Sequence, residues 1–189
     1  MRHIEEFEVN SMLPEFKKIL YCTDLSKNAS FAFKYAVYLA KSTGADIHVL
    51  HVIEKLSDDA HFALQTYVLN DKSRDDFLHH RIQHARERLN ERQDYFWDVL
   101  APEEKAFRSK IVSVDIVENY PAENILKKSR ELQCDLIVMG AHEKGRIMHT
   151  FLGSVAKSVL RHSKIPTLVV PLPDKEEAAK EKAAARKRS

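Results

Sequence analysis

The chain has 189 residues and only two cysteines, Cys22 and Cys134, which is enough for one domain with its own core but not for a disulfide framework. The shortness of its apolar runs and the lack of a signal-peptide pattern in residues 1–10 argue against a membrane protein and predict a cytoplasmic one. Without its last sixteen residues the chain carries 24 basic and 24 acidic side chains, a neutral balance that argues against nucleic-acid binding.

The first predicted elements lie between a polar, unpatterned tail (1–12) and the middle of the chain. Residues 17–24 form a short apolar strand that ends on an acidic residue. Ser26 or Asn28 can cap the helix that follows, and Gly44 is predicted to end it in the left-handed conformation. A second apolar strand is predicted over residues 47–53.

Residues 56–100 are predicted to be helical, with a break near residues 70–71 and an end at Pro102. An apolar stripe would face the body of the domain: Leu78, Ile82, Ala85, Leu89 and Phe96. The charged side chains of the same helix are predicted to face solvent: Arg81, Arg86, Glu87, Arg88, Glu91 and Arg92. His80 and His84 have a spacing that can hold a metal, but a solvated helix face is favoured and no metal is predicted.

Strands and helices also alternate in the last third of the chain, with strands predicted over residues 111–117, 135–139 and 167–170. Pro121 begins one helix, Ser154 caps another, and residues 174–189 form a charged C-terminal tail. Apolar strands that alternate with helices predict a single α/β domain over residues 13–173, a doubly wound five-stranded parallel sheet with helices on both faces.

Three of the four glycines fall within fourteen residues, at Gly140, Gly145 and Gly153. In a doubly wound sheet the first strand is central and the fourth can lie beside it, so Asp24 and these glycines would share one crevice. A carboxylate suits ribose hydroxyls or an adenine amino group, and glycines before a helix suit phosphate. The alternatives are a turn carboxylate at Asp24 and simple tight turns at the glycines. No catalytic motif is present.

Several segments together give the chain a family resemblance, the closest being Asp-Leu-Ile-Val-Met-Gly-Ala-His at 135–142. The others lie at residues 17–24, 51–52, 121–125, 152–155 and 164–170. With these motifs the chain resembles the universal stress protein family, of the UspA-like, adenine-nucleotide-binding type. The resemblance implies a Rossmann-like sheet similar to that of the adenine nucleotide alpha hydrolases. It also implies a homodimer that pairs through the last strand, Thr167–Val170.

Nucleotide-binding members of that family carry Gly-x-x-Gly, nine further residues and Gly-Ser/Thr. The resemblance implies that Thr23, Asp24 and Val52 meet the adenosine of ATP or AMP, with Mg²⁺ a candidate companion. The set implied around ribose and phosphates is Gly140, His142, Gly153, Ser154 and Val155, and the implied nucleotide-binding set also includes Met139 and Lys144.

Glu143 replaces the second glycine of the family motif. Its charge would repel a polyphosphate about 4 Å away by about 1–4 kcal/mol, depending on hydration. Lys144 and Gly145 could compensate by reshaping the loop. We therefore expect a nucleotide-binding stress-response regulator or sensor that acts through its dimer on an unidentified protein partner. The alternatives are a dimeric interaction module that binds no nucleotide and, less favoured, a slow ATPase or nucleotidyl transferase.

Overall fold

The computed structural model describes residues 13–68, 70–141 and 152–172, so that both predicted tails fall outside the described residues. The strands are β1 (Lys18–Thr23), β2 (Asp46–Glu54), β3 (Ile111–Asn119), β4 (Leu136–Gly140) and β5 (Thr167–Val170). The α-helices are α1 (Lys27–Thr43), α2 (Asp58–Tyr67), α3 (Asp71–Asp98), α4 (Pro102–Lys105), α5 (Pro121–Glu131) and α6 (Ser154–His162). Within these ranges, no helix is both long and apolar enough to cross a lipid bilayer.

The strands form one parallel sheet in the order β3-β2-β1-β4-β5, with β1 at its centre. Helices α1 and α3 cover one face, where Phe33 and Trp97 belong to one buried cluster. Helices α5 and α6 cover the other face, where Ile125 and Val159 are buried. The predicted α/β architecture, with helices on both faces of a five-stranded parallel sheet, is confirmed.

Capping residues set several helix boundaries where the sequence predicts them. The Ser26 hydroxyl accepts a hydrogen bond from the N–H of Ala29 (3.1 Å) and begins α1. Gly44 ends that helix at φ 79°, in the left-handed region that residues with a Cβ rarely adopt. Asn70 caps α3 by accepting from the N–H of Lys72 (2.9 Å), which confirms the predicted break in the helical middle.

Two predicted boundaries were wrong. The long helix ends at Asp98, and Pro102 begins the short helix α4 instead of ending α3, since the fixed φ of proline suits the first position of a helix. Gly153, not Ser154, is the N-terminal cap of α6, and Ser154 is the first residue of the helix. The N–H group of Ser154 is therefore one of those that have no partner within the helix.

The predicted apolar stripe of α3 is confirmed, since Ala85 and Leu89 are buried and Leu78, Ile82 and Phe96 are half-buried. The prediction of a solvated charged face was wrong in part. The Arg81 guanidinium donates to Oε1 of Glu118 (2.6 Å) and to the carbonyl of Glu54 (2.8 Å). The reason is that the part of α3 around Arg81 lies beside the carboxyl ends of β2 and β3, where the Glu54 carbonyl and the Glu118 carboxylate are available for arginine to contact.

A clamp between the starts of β1 and β4 sets their relative position. Oδ2 of Asp135 accepts hydrogen bonds from the N–H groups of Lys17 and Lys18, both at 2.8 Å. The N–H of Asp135 in turn donates to the carbonyl of Lys18 (2.9 Å). Because this clamp fixes where β4 begins, it also fixes which residues of the two strands end side by side.

We predict that Asp135→Ala lowers the free energy of unfolding by about 1–2 kcal/mol, because two N–H groups lose a charged acceptor. Asp135→Asn keeps an oxygen in the same place and is expected to lose less. Urea denaturation followed by circular dichroism measures both. Asp94→Ala, which removes an exposed ion pair with Arg108, serves as the control and should change stability by less than about 0.5 kcal/mol. A fully stable Asp135→Ala variant would contradict the clamp.

Candidate functional site

A cleft of about 700 Å³ opens at the carboxyl ends of β1, β2 and β4. Eight of the ten residues predicted for the site line it: Thr23, Asp24, Val52, Met139, Gly140, Gly153, Ser154 and Val155. His142 and Lys144 lie outside the described residues, as does Glu143. The cleft has the size of a typical small-ligand site and the position expected at the switch point of a doubly wound sheet.

The turn between β1 and α1 forms the floor of the cleft. Leu25 lies at φ 61°, an uncommon conformation for a residue with a side chain, and its side chain is buried. Its N–H donates to Oγ1 of Thr23 (3.0 Å), and the N–H of Ser26 donates to Oδ1 of Asp24 (2.9 Å). Asp24 is therefore a turn carboxylate, as one interpretation held, but it is also exposed to the cleft.

Gly140 allows the end of β4 to approach the start of α1. A Cβ at this position would lie 3.1 Å from the backbone nitrogen of Ala29 and 3.1 Å from the backbone carbon of Asn28. These distances are shorter than carbon atoms normally tolerate, and the atoms belong to the first turn of a helix. The glycine at residue 140 is thus required by close packing, which brings two walls of the cleft together.

Backbone hydrogen bonds hold the start of α6 beside the end of β4. The N–H of Gly153 donates to the carbonyl of Ala141 (3.0 Å), and the N–H of Ala141 donates to the carbonyl of Val170 (2.9 Å). Ser154 and Val155 therefore reach the cleft in the first turn of α6, where N–H groups have no partner within the helix. Such a helix start favours a negatively charged ligand group.

His51, on β2, also lines the cleft, and its environment favours the neutral ring. Its Nδ1 lies 2.7 Å from the carbonyl oxygen of Thr23, and a carbonyl can only accept, so Nδ1 carries the proton. Burial lowers the pKa of His51, an effect that Arg88 reinforces and that the Thr23 carbonyl and Asp24 oppose. The neutral ring leaves Nε2 as a hydrogen-bond acceptor beside the cleft.

Two lining residues were missed by the sequence analysis, which placed Arg88 and Arg92 on a solvated face. Nη1 of Arg92 donates to the carbonyl of Ser26 (3.2 Å) and to the hydroxyl of Ser30 (3.1 Å). The signal that could have found them is spacing, since residues 81, 85, 88 and 92 recur at helical intervals around the buried Ala85. Charged side chains on a helix can face either water or a polar cleft, so the polarity of the sequence alone does not distinguish these two environments.

The one cysteine among the described residues that line the cleft, Cys22, is not suited to act as a nucleophile. Cys22 is fully enclosed, and burial raises the pKa of its thiol far above the physiological range, so it stays protonated. Within residues 13–68, 70–141 and 152–172, no group of three or more His, Cys, Asp or Glu side chains could hold a metal ion. The lining offers the carboxylate of Asp24 and the guanidinium groups of Arg88 and Arg92 to a ligand.

Comparison with known proteins gives consistent matches along most of the chain. The model of the universal stress protein family matches residues 15–171. The chain is 31% identical to universal stress protein MJ0577 of Methanocaldococcus jannaschii over 159 residues, which are 82% of this chain and 94% of that protein. It is 32% identical to universal stress protein G of Escherichia coli O157:H7 over 139 residues, 74% of this chain and 86% of the relative.

Solved structures give the same fold. The structure of MJ0577 superposes with a TM-score of 0.64 at 25% identity and covers 86% of this chain and 100% of that one. Universal stress protein UspA from Lactobacillus plantarum superposes with a TM-score of 0.64 at 21% identity, over 84% of this chain and 99% of that one. At 21% identity, the similarity to UspA from Lactobacillus plantarum shows the fold alone.

We predict that Gly140→Ala destabilises the protein by about 1–3 kcal/mol, because the added methyl group forces β4 away from the first turn of α1. Urea denaturation of the purified variant measures the effect. Glu91→Ala, on an exposed position of α3, is the control and should lie within about 0.5 kcal/mol of the wild type. Wild-type stability of Gly140→Ala would contradict the packing argument.

Proposed function

The chain belongs to the universal stress protein family, and from that premise we propose that it binds an adenine nucleotide, ATP or AMP, in the cleft. Occupancy of the cleft would regulate a stress response through a dimer. The observation that carries the proposal is the meeting of three surfaces in one cleft. They are the exposed carboxylate of Asp24, the apolar side chain of Val52 and the first turn of α6 at Ser154 and Val155.

Each surface suits one part of a nucleotide. Val52, half-buried at the end of β2, offers an apolar contact for the base. The carboxylate of Asp24 and Nε2 of His51 are acceptors for ribose hydroxyls or the adenine amino group. The N–H groups at the start of α6 are donors for phosphate oxygens. Mg²⁺ would enter with ATP, held mainly by phosphates and water as is usual for this ion.

The second candidate is a dimeric interaction module of the same fold that binds no nucleotide. Glu143 favours it, because a carboxylate replaces a glycine beside the expected phosphate position. A repulsion of about 1–4 kcal/mol corresponds to a loss of roughly one to three decades in affinity. Such a loss would turn a micromolar site into one with a dissociation constant between about 10 μM and about 1 mM.

We predict that the purified protein carries near-stoichiometric adenine nucleotide, which denaturation and chromatography of the supernatant would detect. Asp24→Asn keeps the oxygen that caps the turn but removes the charge, so it should fold normally and bind the nucleotide about tenfold more weakly. Calorimetric titration with ATP and AMP measures the change. Asp94→Asn, outside the cleft, is the matched control and should bind as the wild type does.

A protein that is purified empty and gives no titration signal with ATP or AMP would overturn the nucleotide proposal and favour the interaction module. If ATP binds equally well to the wild type and to Asp24→Asn, the carboxylate has no role in recognition.

The proposed dimer pairs through the last strand, Thr167–Val170. The dimer would in turn act on an unidentified protein partner. Support comes from the position of β5 at the edge of the sheet and from its half-buried apolar side chains, Leu168 and Val169. The carbonyls of Pro166 and Val170 accept from the N–H groups of Ile137 and Ala141. Alternation along the strand therefore points the backbone groups of Thr167 and Val169 away from the sheet. Backbone N–H and C=O groups that point away from the sheet can form hydrogen bonds with the same strand of a second copy.

We predict that Val169→Pro converts the dimer into a monomer, because proline removes an outward N–H without removing a hydrogen bond to β4. Light scattering after size-exclusion chromatography measures the mass, and circular dichroism checks the fold. Val112→Pro on the opposite edge strand β3, at the irregularity between Ile111 and Ser113, is the matched control and should stay dimeric. A dimeric Val169→Pro variant, or a monomeric wild type, would contradict this interface.

A further inference from the structure

Helix α3 forms a wall of the cleft, anchored by an arginine on either side of Arg88. Arg81, two turns before Arg88, bonds to the ends of β2 and β3 through the carbonyl of Glu54 and the carboxylate of Glu118. Arg92, one turn after it, bonds to the start of α1 through Ser26 and Ser30. The two anchors hold the intervening part of α3 across the ends of the strands.

Arg88 lies between these anchors and lines the cleft. It forms no hydrogen bond or ion pair with any residue in the described ranges, in contrast to Arg81 and Arg92. It is near enough to His51 to act on the charge of that ring. The exposed side chain of Arg88 thus brings a guanidinium with unused donors to a cleft that the first turn of α6 also lines.

We infer that Arg88 contacts the phosphate chain of the bound nucleotide and sets a preference for ATP over AMP and over adenosine. The inference rests on the proposed function. A guanidinium offers planar paired donors that match phosphate oxygens, and each added phosphate raises the charge that it meets. The same charge would offset the repulsion from Glu143. Residue 88 lies outside every motif on which the family resemblance depends.

The test is calorimetric titration of wild type and variants with MgATP, AMP and adenosine at fixed ionic strength. Arg88→Ala should bind ATP at least about tenfold more weakly than the wild type, bind AMP more weakly by a smaller factor, and bind adenosine within twofold of the wild type. Arg88→Lys keeps the charge without the planar fork, so its affinity for ATP should lie between those of the wild type and Arg88→Ala. Arg86→Ala is the matched control, because its exposed side chain belongs to the same helix but does not line the cleft.

The outcomes separate the two proposals. Equal loss of affinity for ATP and adenosine in Arg88→Ala, or no loss for ATP, overturns the phosphate contact while the nucleotide site stands. A wild type that binds none of the three ligands overturns the proposed function and this inference with it. Thermal unfolding of Arg88→Ala and Arg86→Ala should occur at the same temperature, so a change in affinity cannot be assigned to loss of fold.

Discussion

The cleft depends on the close approach of the end of β4 to the first turn of α1. The approach needs a residue without a Cβ at Gly140, because any larger residue would press on the backbone of Asn28 and Ala29 at 3.1 Å. The register of β1 and β4, which pairs Cys22 with Met139, places this contact directly beside the turn that carries Asp24. The clamp at Asp135 fixes that register from the other end of the strand.

Around this contact, the site is assembled mainly from backbone groups of fixed position. The start of α6 is held by hydrogen bonds through Ala141 and Gly153, and the β1–α1 turn is held by side chains that accept from its own N–H groups. Groups fixed before a ligand arrives cost less ordering on binding. The pKa of His51 is lowered by burial, which leaves Nε2 as an acceptor, and burial keeps the thiol of Cys22 protonated.

Helix α3 adds positive charge to a site whose family pattern is otherwise weakened by a carboxylate. Arg81 and Arg92 are engaged in contacts within the domain, and these contacts hold α3 against the ends of β2 and β3 and the start of α1. Arg88 lines the cleft as well. In the proposed nucleotide site, Glu143 and Arg88 would have opposite effects on a phosphate.

The sequence by itself determined the order of elements, the parallel sheet and the residues of the cleft at the strand ends. It could do so because apolar strand runs, capping residues and glycines act through local geometry, as at Ser26 and Gly44. The tertiary structure alone decided which polar side chains of α3 line the cleft, as at Arg88 and Arg92. That choice depends on where a helix lies across the sheet. It is set by long-range contacts such as Arg81 to Glu118, which no local pattern encodes.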